Sequence, residues 1–210
     1  MDLLTAINWI PFLLAALALN LTPGSDMTFV AANASASVER GALAALGIGA
    51  GCLSHVFLAT VGVTAIIALS PILFAMLKLI GAGYLLWFAY TLIRSGTSVE
   101  TAAPVQHSKW QALRQGIWVN ALNPKVGIFF LAFLPQFTNP ALELIWLQLL
   151  MLGLVFTLSG TLVNLVVAVL VSRASATLRG FRQLGLFLRY TAASMIAFFA
   201  VRLLIGEEPR

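Results

Sequence analysis

The stretch ALNLTPGSDMTFVAAN, residues 18–33, begins and ends as an apolar helix but is interrupted by Thr22-Pro23-Gly24-Ser25-Asp26. Proline removes a backbone donor and crowds the carbonyl one turn earlier. Beside Gly24 it leaves N–H and C=O groups without partners inside the helix, and Asp26 adds a charge. In water this would be an ordinary turn. What it means here depends on the solvent around the chain.

That solvent is lipid. The chain has 210 residues, 60% of them apolar and only 9% charged, where a soluble domain carries about a quarter. The net charge of +5 does not point to nucleic acid, because the Lys and Arg residues stand mostly at the edges of apolar runs. The single cysteine, Cys52, excludes an intrachain disulfide and a cysteine metal cluster, and reads as a small packing residue. Ala16-Leu17-Ala18 has the small-x-small form of a signal cleavage site. No Lys or Arg precedes it, however, and the apolar run resumes at Met27, so it reads as a retained membrane helix.

A crossing helix needs about 20 mostly apolar residues. The apolar runs give six spans, at about 9–32, 42–69, 71–93, 112–137, 142–171 and 183–205, all α-helical. Ser70-Pro71 separates the second from the third, and the polar residues 95–111 form the one substantial loop. Arg40, Arg94, Lys109, Arg114, Arg173, Arg179, Arg182 and Arg189 then fall on one side, which the positive-inside rule makes cytoplasmic. Both termini are expected on the periplasmic side.

The interruption in the first span has a counterpart about a hundred residues later. Asn20-Leu21-Thr22-Pro23 corresponds to Asn120-Ala121-Leu122-Asn123-Pro124, and KLIGAGYLLWFAYTL from Lys78 aligns with RYTAASMIAFFAVRL from Arg189. Three spans is an odd number, so the second copy is inverted. The predicted organisation is a first three-helix repeat over residues 1–94, a loop at 95–111 and a second repeat over 112–210. Inverted repeats with discontinuous helices meeting near the midplane are a transporter design.

The polar groups at membrane depth are few. Irregular backbone there is tolerated where it lines a cavity or is buried in protein. The half-helix starting near Ser25 offers free N–H groups to an anion such as a carboxylate. Asp26 either caps those groups or serves as ligand or proton carrier. Lys125 lies roughly 18 Å into its span, too deep to snorkel easily, and calls for a partner or a wet cavity. Lys78, nearer the outer face, either snorkels or binds substrate. His55 is either a packing residue or a proton relay. Asn20, Asn120, Asn123 and Asn164 add neutral polar groups, the first three beside the breaks. One aspartate against two lysines leaves a positive charge for a substrate carboxylate and favours a neutral over a cationic substrate. The candidate substrate-binding set is therefore Asn20, Pro23, Gly24, Asp26, Lys78, Asn120, Asn123, Pro124 and Lys125, with Asp26 and His55 for proton coupling. Gly47-x-Gly49-x-Gly51 suits internal packing or a homodimer equally.

These residues resemble a known family. Thr22-Pro23-Gly24-Ser25-Asp26, Arg40-Gly41, GIGAGCLSH ending at His55, KLIGAGYL from Lys78, and Asn120-x-x-Asn123-Pro124-Lys125 followed by FFLAFLPQF are similar to the lysine exporter / threonine–homoserine efflux (LysE/RhtB) family. The resemblance covers most of residues 5–140. It implies a small bacterial inner-membrane exporter of amino acids or their derivatives, driven by the proton gradient and without a cofactor. The family usually has a second proline where this chain has Ser25, which keeps the break but restores one backbone N–H. Two other readings are weaker. A metal or inorganic-ion exporter would want more Asp, Glu, His or Cys in the cavity. A membrane-embedded lipid-modifying enzyme would want paired acids or a Ser/His/Asp constellation.

Overall fold

The computed structural model describes residues 7–94, 108–139, 142, 144–173 and 178–205, without the side chains of 71, 178–189, 192 and 203. The expected loop lies outside the described residues up to position 107, as do Pro140 and the acids at positions 2, 100, 143, 207 and 208.

The chain is helical throughout these segments. Helix α1 (Trp9–Leu21) and α2 (Ser25–Ala34) are joined at the Pro-Gly break with a bend of 52°. Helix α3 (Val38–Leu58) runs through one wide π turn (Ala59–Val63) into α4 (Thr64–Leu69), and α5 (Pro71–Arg94) follows the expected Ser-Pro break. The second bent pair is α6 (Lys109–Ala121) and α7 (Pro124–Ile128), continued by a π turn (Phe129–Phe133) and a 3-10 turn (Leu134–Phe137), with a bend of 46°. Helices α8 (Ile145–Arg173) and α9 (Leu178–Ile205) complete the chain.

Caps move two starts ahead of the apolar pattern. Ser37 accepts the Arg40 N–H, so α3 begins at Val38 rather than 42. Ser108 and Gln111 form a reciprocal capping box, so α6 begins at Lys109 rather than 112.

Val38–Leu69, Ile72–Arg94 and Ile145–Arg173 are each long and apolar enough to cross a bilayer, and the two bent pairs raise the number to five. In the expected sixth span, Ala193–Arg202 is the apolar stretch. The exterior matches a lipid solvent. Leu69, Ile72, Ile10, Trp110, Leu158 and Phe198 stand exposed, an apolar surface that water would penalise.

Lipid tails supply no hydrophobic drive between helices, so close backbone approach does the packing. A Cβ at Gly47 or Gly51 would run into the carbonyls of Leu113 and Ile117, and one at Gly116 would come within 2.7 Å of the Ala44 carbonyl. Gly49 faces the Thr161 hydroxyl on α8. The glycine series therefore serves internal packing, with α3 set between α6 and α8.

The two bent pairs run antiparallel. The Asn8 N–H donates to the Phe137 carbonyl at 3.2 Å, and Phe12 packs edge-on against Phe137. At the opposite end Lys109, which opens α6, pairs with Glu39 near the start of α3, just after α2. The breaks thus meet midway. Towards Phe137 they are sealed by an aromatic cluster, Phe129 stacking on Phe156 at 4.9 Å and Phe133 contacting Phe199 at 5.5 Å. Buried Gln148 fastens the segment beyond, accepting the Asn139 N–H and donating to its carbonyl.

Gly47→Leu must push α6 away from α3, whereas Gly83→Ala meets nothing within 4 Å. Overpacking of this kind costs about 1–3 kcal/mol. In detergent, thermal unfolding followed by size-exclusion chromatography should show Gly47→Leu melting several degrees lower and Gly83→Ala unchanged.

Candidate functional site

Each proline leaves a carbonyl without its usual donor. The missing N–H of Pro23 would have served Leu19, and that of Pro124 would have served Asn120. Both carbonyls are reached by a side chain from elsewhere in the fold. Lys125 Nζ donates to the carbonyls of Leu19 and Thr22, each at 3.3 Å. His55 Nε2 lies 2.9 Å from the Asn120 carbonyl. A carbonyl can only accept, so Nε2 carries the hydrogen. Local groups complete the arrangement: the Thr22 N–H also turns to Leu19, and the Thr22 hydroxyl donates to Ala18 at 2.6 Å.

The second break is also tied to the first through Asp26. Asn120 Nδ2 donates to Oδ2 at 2.8 Å and Asn123 Nδ2 to Oδ1 at 2.9 Å. Asn123 has a second duty, its Oδ1 accepting the Lys125 N–H as N-cap of α7, with Pro124 in the first turn where its missing N–H costs nothing. The first break thus sends a carboxylate to the second, and the second sends an ammonium back. Hydrogen bonds to an ionised group are roughly twice as strong as neutral ones.

The Asp26 carboxylate, in the first turn of α2 after its N-cap Gly24, is engaged across the interface between the breaks. Gly24 adjoins Lys125: a Cβ there would meet Nζ at 3.4 Å, an ordinary van der Waals contact. Phe88 of α5 covers the ammonium, its ring centre 6.0 Å from Nζ.

A polar cavity of about 30 Å³ adjoins the two breaks, lined among others by Asn20, Asp26, Gly49, Cys52, Asn120, Lys125, Thr157, Thr161 and Asn164. That volume holds one or two waters, whereas small-molecule sites run to roughly 300–1,000 Å³. As it stands, the cavity is too small to hold a small-molecule ligand.

The sequence-derived set divides on this geometry. Asn20, Asp26, Asn120 and Lys125 line the cavity. Asn20 is held by α8, donating to Ser159 Oγ at 3.0 Å, and a Cβ at Gly160 would crowd its amide oxygen. Pro23, Gly24, Asn123 and Pro124 shape the breaks. His55, buried against Phe130, ties down backbone behind the cavity. Lys78 is absent from the lining and lies over Phe74 of its own helix. The α8 wall was missed, apart from Asn164. Its signal was present: Thr157, Thr161 and Asn164 recur at i, i+4 and i+7, one face of an otherwise apolar helix. Cys52 proves to be cavity wall as well as packing. Among the described residues no group of three or more His, Cys, Asp or Glu comes together.

The profile of the LysE type translocator family matches residues 17–207. A homoserine/homoserine lactone efflux protein of Salmonella typhi is 31% identical over 179 residues, 84% of this chain and 86% of that protein. A leucine efflux protein of Klebsiella pneumoniae is 33% identical over 140 residues, 63% of this chain and 64% of that protein. A Vibrio cholerae chain called an uncharacterized membrane protein is 34% identical over 149 residues, 70% of this chain and 72% of its own length. No solved structure matches.

Asp26→Ala and Asn123→Ala remove two ends of one charged hydrogen bond, so their effects on stability should not add. A double-mutant cycle on detergent unfolding should give a coupling of about 1.5–3 kcal/mol. Asn20→Ala combined with Asn123→Ala should be additive within about 0.5 kcal/mol.

Proposed function

The chain belongs to the LysE type translocator family, and from that premise we propose that it exports small neutral amino acids or close derivatives by proton antiport. The bilayer is the bacterial inner membrane, crossed six times with both termini outside. The fold is two inverted three-helix repeats that rock about the two breaks. The observation that carries this reading is the reciprocal exchange between Asp26 and the asparagines, and between Lys125 and the freed carbonyls, beside one polar cavity.

The chemistry follows from those partners. Lys125 spends two of its three N–H donors on neutral carbonyls, so its charge is uncompensated by a direct ion pair. It stands beside the uncapped start of α2, and both features favour a substrate carboxylate. Asp26 accepts amide hydrogens on both oxygens. Protonating Asp26 removes the charge that strengthens both amide bonds and puts an O–H where an acceptor stood, which weakens the link between the two breaks. A proton arriving from outside protonates Asp26 as substrate is released to the outside, and Asp26 then ionises towards the cytoplasm as the next substrate binds from that side. Asp26, with both oxygens engaged between the two breaks, is the proton carrier in this reading, and His55 holds backbone through Nε2. Names of relatives support amino-acid efflux, and homoserine and leucine are the substrates to test first.

Proteoliposomes loaded with L-homoserine or L-leucine should release them faster when the outside is acidified, and a protonophore should abolish the acceleration. Release no faster than from protein-free liposomes would sink the export reading. Asp26→Asn should lose at least about tenfold of the acid-driven component; an unchanged acid-driven rate would remove Asp26 from the coupling.

A further inference from the structure

Asn120 is tied to two other segments at once, and one of its polar atoms is left over. Its carbonyl is taken by His55 and its Nδ2 by Asp26. A carboxylate only accepts, so the orientation of the amide is fixed by chemistry, with Nδ2 towards Asp26. Its Oδ1 is buried without a hydrogen-bond partner, in a residue only 2% exposed that lines the polar cavity. A buried acceptor with no donor is destabilising unless something supplies a hydrogen.

Asp26 already has both oxygens engaged, and Asn20 and Thr161 are tied to α8, Asn20 through its amide N–H and Thr161 through its hydroxyl donating to the Thr157 carbonyl. Asn120 Oδ1 is a fully buried acceptor, on a residue that lines the cavity, that the fold leaves unused. It is neutral, and it sits beside a carboxylate that its own amide holds. That pairing suits a primary ammonium, which brings three donors and a charge.

We propose that Asn120 Oδ1 is the acceptor for the substrate's α-ammonium, and that it selects amino acids against the corresponding 2-hydroxy acids. The inference rests on the export reading above and adds to it the group that reads the amine end. A hydroxyl supplies one neutral donor in place of three charged ones, so the 2-hydroxy acid loses the charge-assisted bond. A site built around a polar group discriminates most strongly against ligands that fail to satisfy it.

The test uses the full-length protein in proteoliposomes and two pairs of probes, L-leucine with 2-hydroxy-4-methylpentanoate and L-homoserine with 2,4-dihydroxybutanoate. The wild type should prefer each amino acid in kcat/KM by on the order of 10- to 100-fold. Asn120→Leu and Asn123→Leu each strip one amide from Asp26; the second also uncaps α7, and only the first removes the unused acceptor. Asn120→Leu should collapse the preference through a raised KM for the amino acid, while Asn123→Leu lowers rates and keeps it. Equal loss of preference in both variants would assign the amine to Asp26 and overturn the proposal. A wild type that exports both members of a pair equally would overturn it too, while leaving amino-acid export intact, and needs no variant to fold. If no probe moves, the export reading itself falls, and this inference with it.

Discussion

A proline inside a membrane helix deprives one carbonyl of its usual donor a turn later, in a solvent that offers no substitute. Here that happens twice, at Leu19 and at Asn120; each carbonyl keeps a tighter-turn bond from the Thr22 or Asn123 N–H and is also reached by a side chain from another segment. Lys125 reaches from the second bent pair back to the first, and His55 reaches from α3 to the second. The remaining polar groups arrange themselves around these two ties. Asp26 takes the amides of Asn120 and Asn123, and Asn123 in turn caps the short helix that carries Lys125. Each break is completed by groups the other supplies or holds in place.

This interdependence explains why so much polarity sits in so apolar a chain. A lysine at this depth is costly unless carbonyls or a counter-charge meet it, and the broken helix makes such carbonyls available. An aspartate there is costly for the same reason, and two amides meet it. The arrangement closes on itself with a cavity of about 30 Å³, so opening it to admit a small molecule means parting groups that satisfy one another. In the proposed cycle, proton and substrate are what replace those partners.

The two ends of the site are packed differently. Towards Asn8 and Phe137 the seal is aromatic, rings meeting edge-on and stacked between Phe129, Phe133, Phe137, Phe156 and Phe199, and such pairs add about 0.5–1.5 kcal/mol each. Towards Ala34, Gly41 and Ala168 the contacts are between alanine and glycine at backbone range. Large rings seal one end, and backbone fit seals the other.

The residues alone determined a great deal. Composition forced a lipid solvent, Pro-Gly and Asn-Pro located both bends, and Asp26, Asn120 and Lys125 were recognisable because polar groups at membrane depth are expensive and therefore few. Helix starts were off by several positions because Ser37 and Ser108 cap ahead of the apolar pattern. The cavity wall on α8 was overlooked because a threonine in an apolar helix usually bonds its own backbone, and only its neighbours tell whether it also faces a site. What the tertiary structure decided was pairing. Asp26 in the first turn of a helix reads as a cap in one dimension, and becomes a cross-link once Asn120 and Asn123 are brought within 2.8 and 2.9 Å of it. Lys78 and Lys125 are both candidate ligands along the chain, Lys125 the deeper of the two, and it is Lys125 that reaches the Leu19 and Thr22 carbonyls. Sequence records which groups need partners; distance in the folded chain determines which partners they get.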